Sequence, residues 1–152
     1  MDMRSRISQA LKDAMRAKEA DRLSTLRLIT AAFKDRDIAA RGEGEEGQVS
    51  DDVLLGILAR MVKQRQESAR AYEEGGRLEL AQKELSEIGV IEEFLPRQLT
   101  ESETQEAISA AIAEVDANSI RDMGRVMAVL KGRYAGQMDF GRVGPEIRVR
   151  LG

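Results

Sequence analysis

The side chains with capacity for chemistry are almost all charged: the 152-residue chain carries 24 Lys and Arg and 27 Asp and Glu, but neither His nor Cys. Without an imidazole there is no ordinary base near neutral pH, and without a thiol there is no thiolate nucleophile. The main soft metal ligands are missing with them. Ser-His-Asp and Cys-His arrangements are excluded, and no G-x-S-x-G elbow occurs. Carboxylates alone could bind Mg²⁺ or act as acid and base. Most of them, however, alternate with basic residues, the pattern of solvated helix faces. We therefore assign no catalytic residue, no metal ligand and no cofactor.

Recognition of an anion remains open to such a chain. Around residues 121–134, Met123, Val126, Met127, Leu130 and Tyr134 share one apolar face, and Arg121 and Arg125 project from the opposite one. Ala128 and Gly132 lie beside the two arginines, so a phosphate backbone could approach closely, and Lys131 and Arg133 flank that face. These four are the candidate RNA-binding residues; solubility accounts for the charges equally well. A secondary candidate surface is Lys63, Arg65 and Arg70, in the polar run from Lys63 to Tyr72. Arg65 and Arg70 offer two-pronged donors there, although a face laced by ion pairs is the simpler reading. Gly42-Glu-Gly-Glu-Glu-Gly47 matches the dinucleotide-loop pattern G-x-G-x-x-G letter for letter. It follows a helix rather than a strand, and three Glu would repel phosphate, so it reads as a flexible, chemically idle loop over 41–50.

The net charge of −3 hides local asymmetry. Residues 1–41 hold ten basic and six acidic side chains, residues 100–118 five acidic and no basic ones, and residues 119–152 seven basic and three acidic ones. Such a distribution permits a patch for an anionic partner without requiring one. Hydrophobic residues make up 42%, but aromatics only 3%, and Trp is absent. The core must then be aliphatic and Met-rich. No run approaches the roughly 20 apolar residues of a membrane span, and the start of the chain lacks the apolar stretch of a signal peptide. The absence of Cys fits a cytoplasmic protein, the expected location.

The elements that must position these residues read as helices throughout. Ile7, Ala10, Leu11, Ala14 and Met15 make the buried stripe of the first. Asp21 caps a second, with Leu23, Leu26, Ile29, Thr30 and Phe33 on one side. Leu28 and Ala32 widen that surface and suggest a helix between neighbours. Ser50, followed by Asp51 and Asp52, caps a third with Val53, Leu54, Ile57, Leu58, Met61 and Val62. Lys63–Glu67 and Arg70–Glu74 are spaced as i, i+4 pairs in its polar half. Gly75-Gly76 ends it. Leu78, Ala81, Leu85, Ile88, Ile91 and Leu95 predict a fourth helix, which Pro96 stops.

Thr100-Glu-Ser-Glu103 is a capping box opening a fifth helix with Ile108, Ala111, Ile112 and Val115 inward. Ser119-Ile-Arg-Asp122 repeats that pattern before the sixth. Val143, Ile147 and Leu151 mark a last helix over roughly 139–151. It is expected to begin close to Pro145 or to kink there. The fold class is all-α: an N-terminal four-helix lobe, residues 1–96, followed by a smaller C-terminal three-helix lobe, residues 97–152.

Three stretches carry a family resemblance. They are Arg22-Leu-Ser-Thr-Leu-Arg-Leu-Ile29 with Ala32-Phe-Lys34, the run from Lys63-Gln-Arg65 through Tyr72, Gly76-Arg77 and Glu92-Glu-Phe-Leu-Pro-Arg-Gln-Leu99, and Asp122-Met-Gly-Arg-Val-Met127 trailing to Tyr134-Ala-Gly136. Together they resemble the YqeY-like protein family over essentially the whole chain. The resemblance implies the two helical lobes. It also implies that the second is similar to the tail of the B subunit of the glutamine-dependent Glu/Asp-tRNA amidotransferase. That tail helps hold tRNA, while amide chemistry is performed elsewhere. The family label of carbon–nitrogen ligase with glutamine as amide donor therefore attaches to residues not found here, since the Ser–cis-Ser–Lys amidase signature is missing. Gly144-Pro145 departs from the family pattern in the last helix.

Two functions follow as expectations. One is an accessory tRNA-binding protein using the C-terminal lobe, in company with a protein of the translation or aminoacyl-tRNA machinery. The other is a helical protein-interaction module without RNA binding. Neither involves a membrane.

Overall fold

In the computed structural model, residues 2–44 and 47–152 are described, and every regular element among them is helical. The helices are α1 (Met3–Arg16), α2 (Ala20–Gly42), α3 (Asp51–Glu74), α4 (Leu78–Glu92), α5 (Glu101–Glu114), α6 (Met123–Tyr134) and α7 (Phe140–Leu151), with a 3-10 turn at Ile120–Asp122. The all-α expectation is borne out. The chain divides into two compact units, Met1–Leu95 and Pro96–Gly152.

In the first unit, α3 and α4 make the most extensive helix pair, joined through Gly75-Gly76. Arg65 on α3 and Glu87 on α4 stand at equal chain distances from Gly76, as in an antiparallel hairpin, and their side chains meet at 2.9 Å. The core is aliphatic with two phenylalanines: Ile7, Leu26, Ile29, Phe33, Leu54, Leu58, Ile88, Ile91 and Phe94 are buried together. In the second unit, Ala107, Ile108, Ala111, Val126, Leu130, Met138, Val143 and Ile147 form a separate core.

Three helices end the same way. After α3, Gly76 (φ +75°) lets Arg77 N–H bond back to Tyr72 C=O at 2.7 Å, closing the last turn. After α1 the equivalent left-handed position is Lys18 (φ 58°), and after α5 it is Asp116 (φ 53°), with Glu19 N–H on Ala14 C=O and Ala117 N–H on Ile112 C=O, each at 3.0 Å. Neither residue signals that conformation as a glycine does.

Several expected boundaries shift. α2 begins at Ala20 behind Glu19, so Asp21 lies inside the first turn rather than capping it. Ser50 precedes α3 without a side-chain cap bond; instead Asp51 accepts the Met3 N–H at 3.2 Å, tying the start of α1 to the start of α3. Asp2 caps α1 by accepting from Ser5 N–H at 2.8 Å. Ser119 does not cap either, because the following residues form the 3-10 turn and Asp122 turns back to accept the Asn118 N–H. The box at Thr100 and Glu103 is present in both directions, at 3.1 and 3.0 Å.

α7 begins at Phe140, not near Pro145. Asp139 caps it through the Gly141 N–H, and Val143, Gly144 and Ile147 are buried, so packing holds Pro145 inside the helix. Leu78 and Leu85 lie on one line of α4, about 40–80° away from Ala81 and Ile88 at 100° per residue, and both are exposed. Met15 and Leu28 are exposed as well, although α2 does contact α1, α3 and α4. The acidic loop is not idle along its whole length: Val49, at its far end, packs on the first core and donates its N–H to Asp37. Glu45 and Glu46, in the middle of the G-x-G-x-x-G match, fall outside the described residues.

Candidate nucleic-acid interface

The candidate surface of the second unit is built on α6. Val126 and Leu130 are buried in its core, with Met123, Met127 and Tyr134 packed at the edge. That burial turns Gly124, Arg125, Ala128, Lys131 and Gly132 to solvent. The space beside Gly124 and Gly132 is open, with no atom within 4 Å of where a side chain would begin. Arg121 is also exposed, but it belongs to the 3-10 turn ahead of α6 rather than to the helix itself.

The four cations predicted here differ in how they are held. Arg125 bonds to Asp122 at 2.9 Å with its side chain 59% exposed, so it is tethered and still reachable. Asp122 is held below the ordinary carboxylate range by the Asn118 N–H and then by Arg125. Arg133 makes a two-pronged pair with Glu114 of α5 at 2.7 Å, and that carboxylate strengthens its hold on its proton. Arg121 and Lys131 form no ion pair with the described residues. The open face thus comprises Arg121, Arg125 and Lys131, with Arg133 tied down by a neighbouring helix. Sequence reading misses the Arg133 partner because Glu114 is nineteen residues away on another helix.

Elsewhere in this unit, Arg97 pairs with Glu103 at 2.8 Å and Arg142 with Glu101 at 3.1 Å. Arg150 donates to Ser109 and Gln105. Arg148 is exposed without an ion pair among the described residues, a cation the pattern of apolar spacing gives no reason to single out. The unit's eight basic and eight acidic residues cancel, so any attraction for an anion is local.

The secondary surface does not hold together as a set of free donors. Arg65 is only 15% exposed, with Nε on Glu87 at 2.9 Å and Nη1 on the Met61 carbonyl at 3.2 Å, so it clamps α3 to α4. Lys63 and Arg70 are exposed on α3.

The stretch Glu92–Leu99 is structural along most of its length. Glu93 takes a two-pronged bond from Arg22 at 2.5 and 3.0 Å, and its carbonyl accepts from Arg6. Phe94 is buried under the Arg6 guanidinium, 5.4 Å from its ring centre, a cation–π contact. Past Pro96, Gln98 donates to Gly136 C=O, Leu99 N–H reaches Gln137 C=O at 3.0 Å, and Gln137 returns a bond to Arg97 C=O at 3.1 Å. One short segment therefore closes the first unit and separately fastens the start of the second.

A cleft of about 160 Å³ in the second unit is lined by Gln98, Thr104, Gln137, Arg142 and Glu146, among others. Among the described residues no three carboxylates converge in a way that could hold a metal ion, and no helix is long and apolar enough to cross a membrane.

Comparison with known proteins adds a family. The family model described as Yqey-like protein matches residues 4–151. The protein called "Altered inheritance of mitochondria protein 41, mitochondrial" is similar in several fungi. In Pyrenophora tritici-repentis it is 27% identical over 133 residues, 84% of this chain and 71% of that protein. In Kluyveromyces lactis the figures are 28% over 88 residues, 58% of this chain and 45% of that protein. In Meyerozyma guilliermondii they are 36% over 90 residues, 59% and 44%. The match spans somewhat less than half the length of the last two. These relatives are named as mitochondrial proteins, so a plain cytoplasmic assignment does not extend to them.

Proposed function

The chain belongs to the Yqey-like protein family, and from that membership we propose that it is an accessory RNA-binding protein whose C-terminal unit grips the phosphate backbone of tRNA. The observation that carries this reading is the exposed face of α6 and the turn ahead of it, where Arg121, Arg125 and Lys131 surround Gly124, Ala128 and Gly132. Small residues let a backbone come close, and guanidinium groups match phosphate geometry in two-pronged fashion. The resemblance to the YqeY-like family, which implies a likeness of this unit to a tRNA-holding amidotransferase tail, speaks for the same reading. The chain itself is assigned no amide transfer, since activation of a nucleophile needs a Cys, His or Ser-Lys arrangement. Its place of work is the cytoplasm, beside the aminoacyl-tRNA machinery.

Phosphate neutralisation makes such binding fall steeply with salt. Filter binding to bulk tRNA at two salt concentrations tests it, with R121E/R125E as the comparison. Both positions are exposed, so the fold is retained. Loss of about 1–3 kcal/mol in affinity and a shallower salt slope are expected. Affinity untouched by the double change sinks the proposal. It would favour the helical protein-interaction module, for which the exposed Ile120 and Val149 of the same unit speak.

A further inference from the structure

α2 presents a second exposed surface, built differently from that of α6. Leu26, Phe33 and Ala40, spaced by seven residues, are buried in the first unit. On the opposite side of the helix Leu28, Ala31, Asp35 and Ile38 form an exposed line. Arg27, Lys34 and Arg41, again spaced by seven, run along one edge of it, all exposed. Leu28 and Ile38 leave 43% and 54% of their surface in water, although the helix contacts three others. Among the described residues neither Arg27 nor Lys34 is held by an ion pair.

A three-four spacing of seam positions (Leu28, Ala31, Asp35 and Ile38, of which Asp35 alone is polar) with cations every seven residues along one edge is what a second helix reads. It keeps the seam facing the partner, and the flanking charges choose which partner is accepted. Each step advances about 10.5 Å along the axis. Nucleic acid fits this face poorly, because Asp35 lies in the line and the aliphatic side chains find no counterpart on phosphates. An anionic lipid surface has no use for the repeat and is also repelled by Asp35. A second copy of α2 fits no better. Antiparallel pairing sets the cationic edge against itself, and parallel pairing sets it against Thr25, Ala32 and Ala39, which carry no charge.

We infer that this face of α2 docks an amphipathic helix of another protein, with an apolar seam, acidic residues meeting Arg27, Lys34 and Arg41, and a basic residue opposite Asp35. The probe is a synthetic helical peptide of about 21 residues, long enough to hold helix, with Leu along the seam, Glu along one edge and Lys placed to face Asp35. Fluorescence anisotropy against the full chain should show saturable binding. R27E/K34E should weaken it by about tenfold or more, and a Lys-edged peptide should then prefer the variant over the unchanged protein. Ile38→Ser should weaken binding of the Glu-edged peptide to the otherwise unchanged chain. The altered positions are exposed, so helix content and Tm stay put; K34E alone, with a smaller loss, serves as the milder check. R121E/R125E should bind the peptide like the unchanged chain, which keeps this inference separate from tRNA binding. Absence of saturable binding, equal binding of Glu-edged and Lys-edged peptides, or indifference to R27E/K34E overturns the inference.

Discussion

Arg4 and Asp37, thirty-three residues apart, meet in a two-pronged ion pair at 2.8 and 2.9 Å. The same carboxylate accepts the Val49 N–H at 3.1 Å, and Arg4 also donates to the Val49 carbonyl at 3.2 Å. One pair of side chains thus ties α1, α2 and the segment entering α3. The Asp37 side chain is only 9% exposed, so removing its partner strands a charge away from water. Arg4→Met should lower Tm by roughly 5 °C, a typical consequence of breaking a largely buried network. The double change R4M/D37L should cost less than R4M alone, because no charge is left stranded. Thermal melts in which the two losses simply add would contradict this account.

The acid side of the stability curve follows from two carboxyls. Arg97 first, and the Thr100 N–H second, hold Glu103 from its ordinary 4.5 down to about 2. Arg4 first, and the Val49 N–H second, hold Asp37 below its ordinary 3.8. In both cases the unfolded chain takes up protons at higher pH than the folded one, so stability falls as pH falls. For Glu103 the contribution is full above about 4.5 and lost by about 2. Tm measured across this range should drop, and Glu103→Gln should flatten the drop. An unchanged slope in the variant would refute the assignment.

Lys18 holds a left-handed position that a residue with a Cβ occupies at a cost of about 1–2 kcal/mol. Lys18→Gly removes that strain but adds about 0.4–1 kcal/mol of unfolded-state freedom. A net gain of about 0.5–1 kcal/mol in denaturant unfolding is expected, with the Glu19 to Ala14 bond intact. A destabilised variant would show that Lys18 makes contacts worth more than its strain.

Pro145 is the sixth residue of α7, where it withholds the bond its N–H would give to the Gly141 carbonyl. It is exposed, so Pro145→Ala opens no cavity. The change should stabilise the second unit by about 2 kcal/mol, the interior penalty of proline less its restraint on the unfolded chain. Hydrogen exchange at residues 141–149 should slow. Faster exchange there would mean that the proline braces the helix.

The helices themselves were legible in the sequence, because apolar residues recur every three or four positions and that periodicity belongs to each segment alone. The box at Thr100 and Glu103 was legible for the same reason, its partners lying within one turn. So was the orientation of α6, since burying Val126 and Leu130 leaves Arg125, Lys131 and Gly132 no other side. Tertiary structure decided which cations stay open: Arg133 is taken up by Glu114, Arg65 by Glu87 and Arg4 by Asp37, partners from nineteen to thirty-three residues away. It also decided that Leu28 and Ile38 face water and that Pro145 sits inside a helix. Local spacing specifies which side of a helix can be buried. Only the packed neighbours determine which side is buried, and which charges find a partner across the gap.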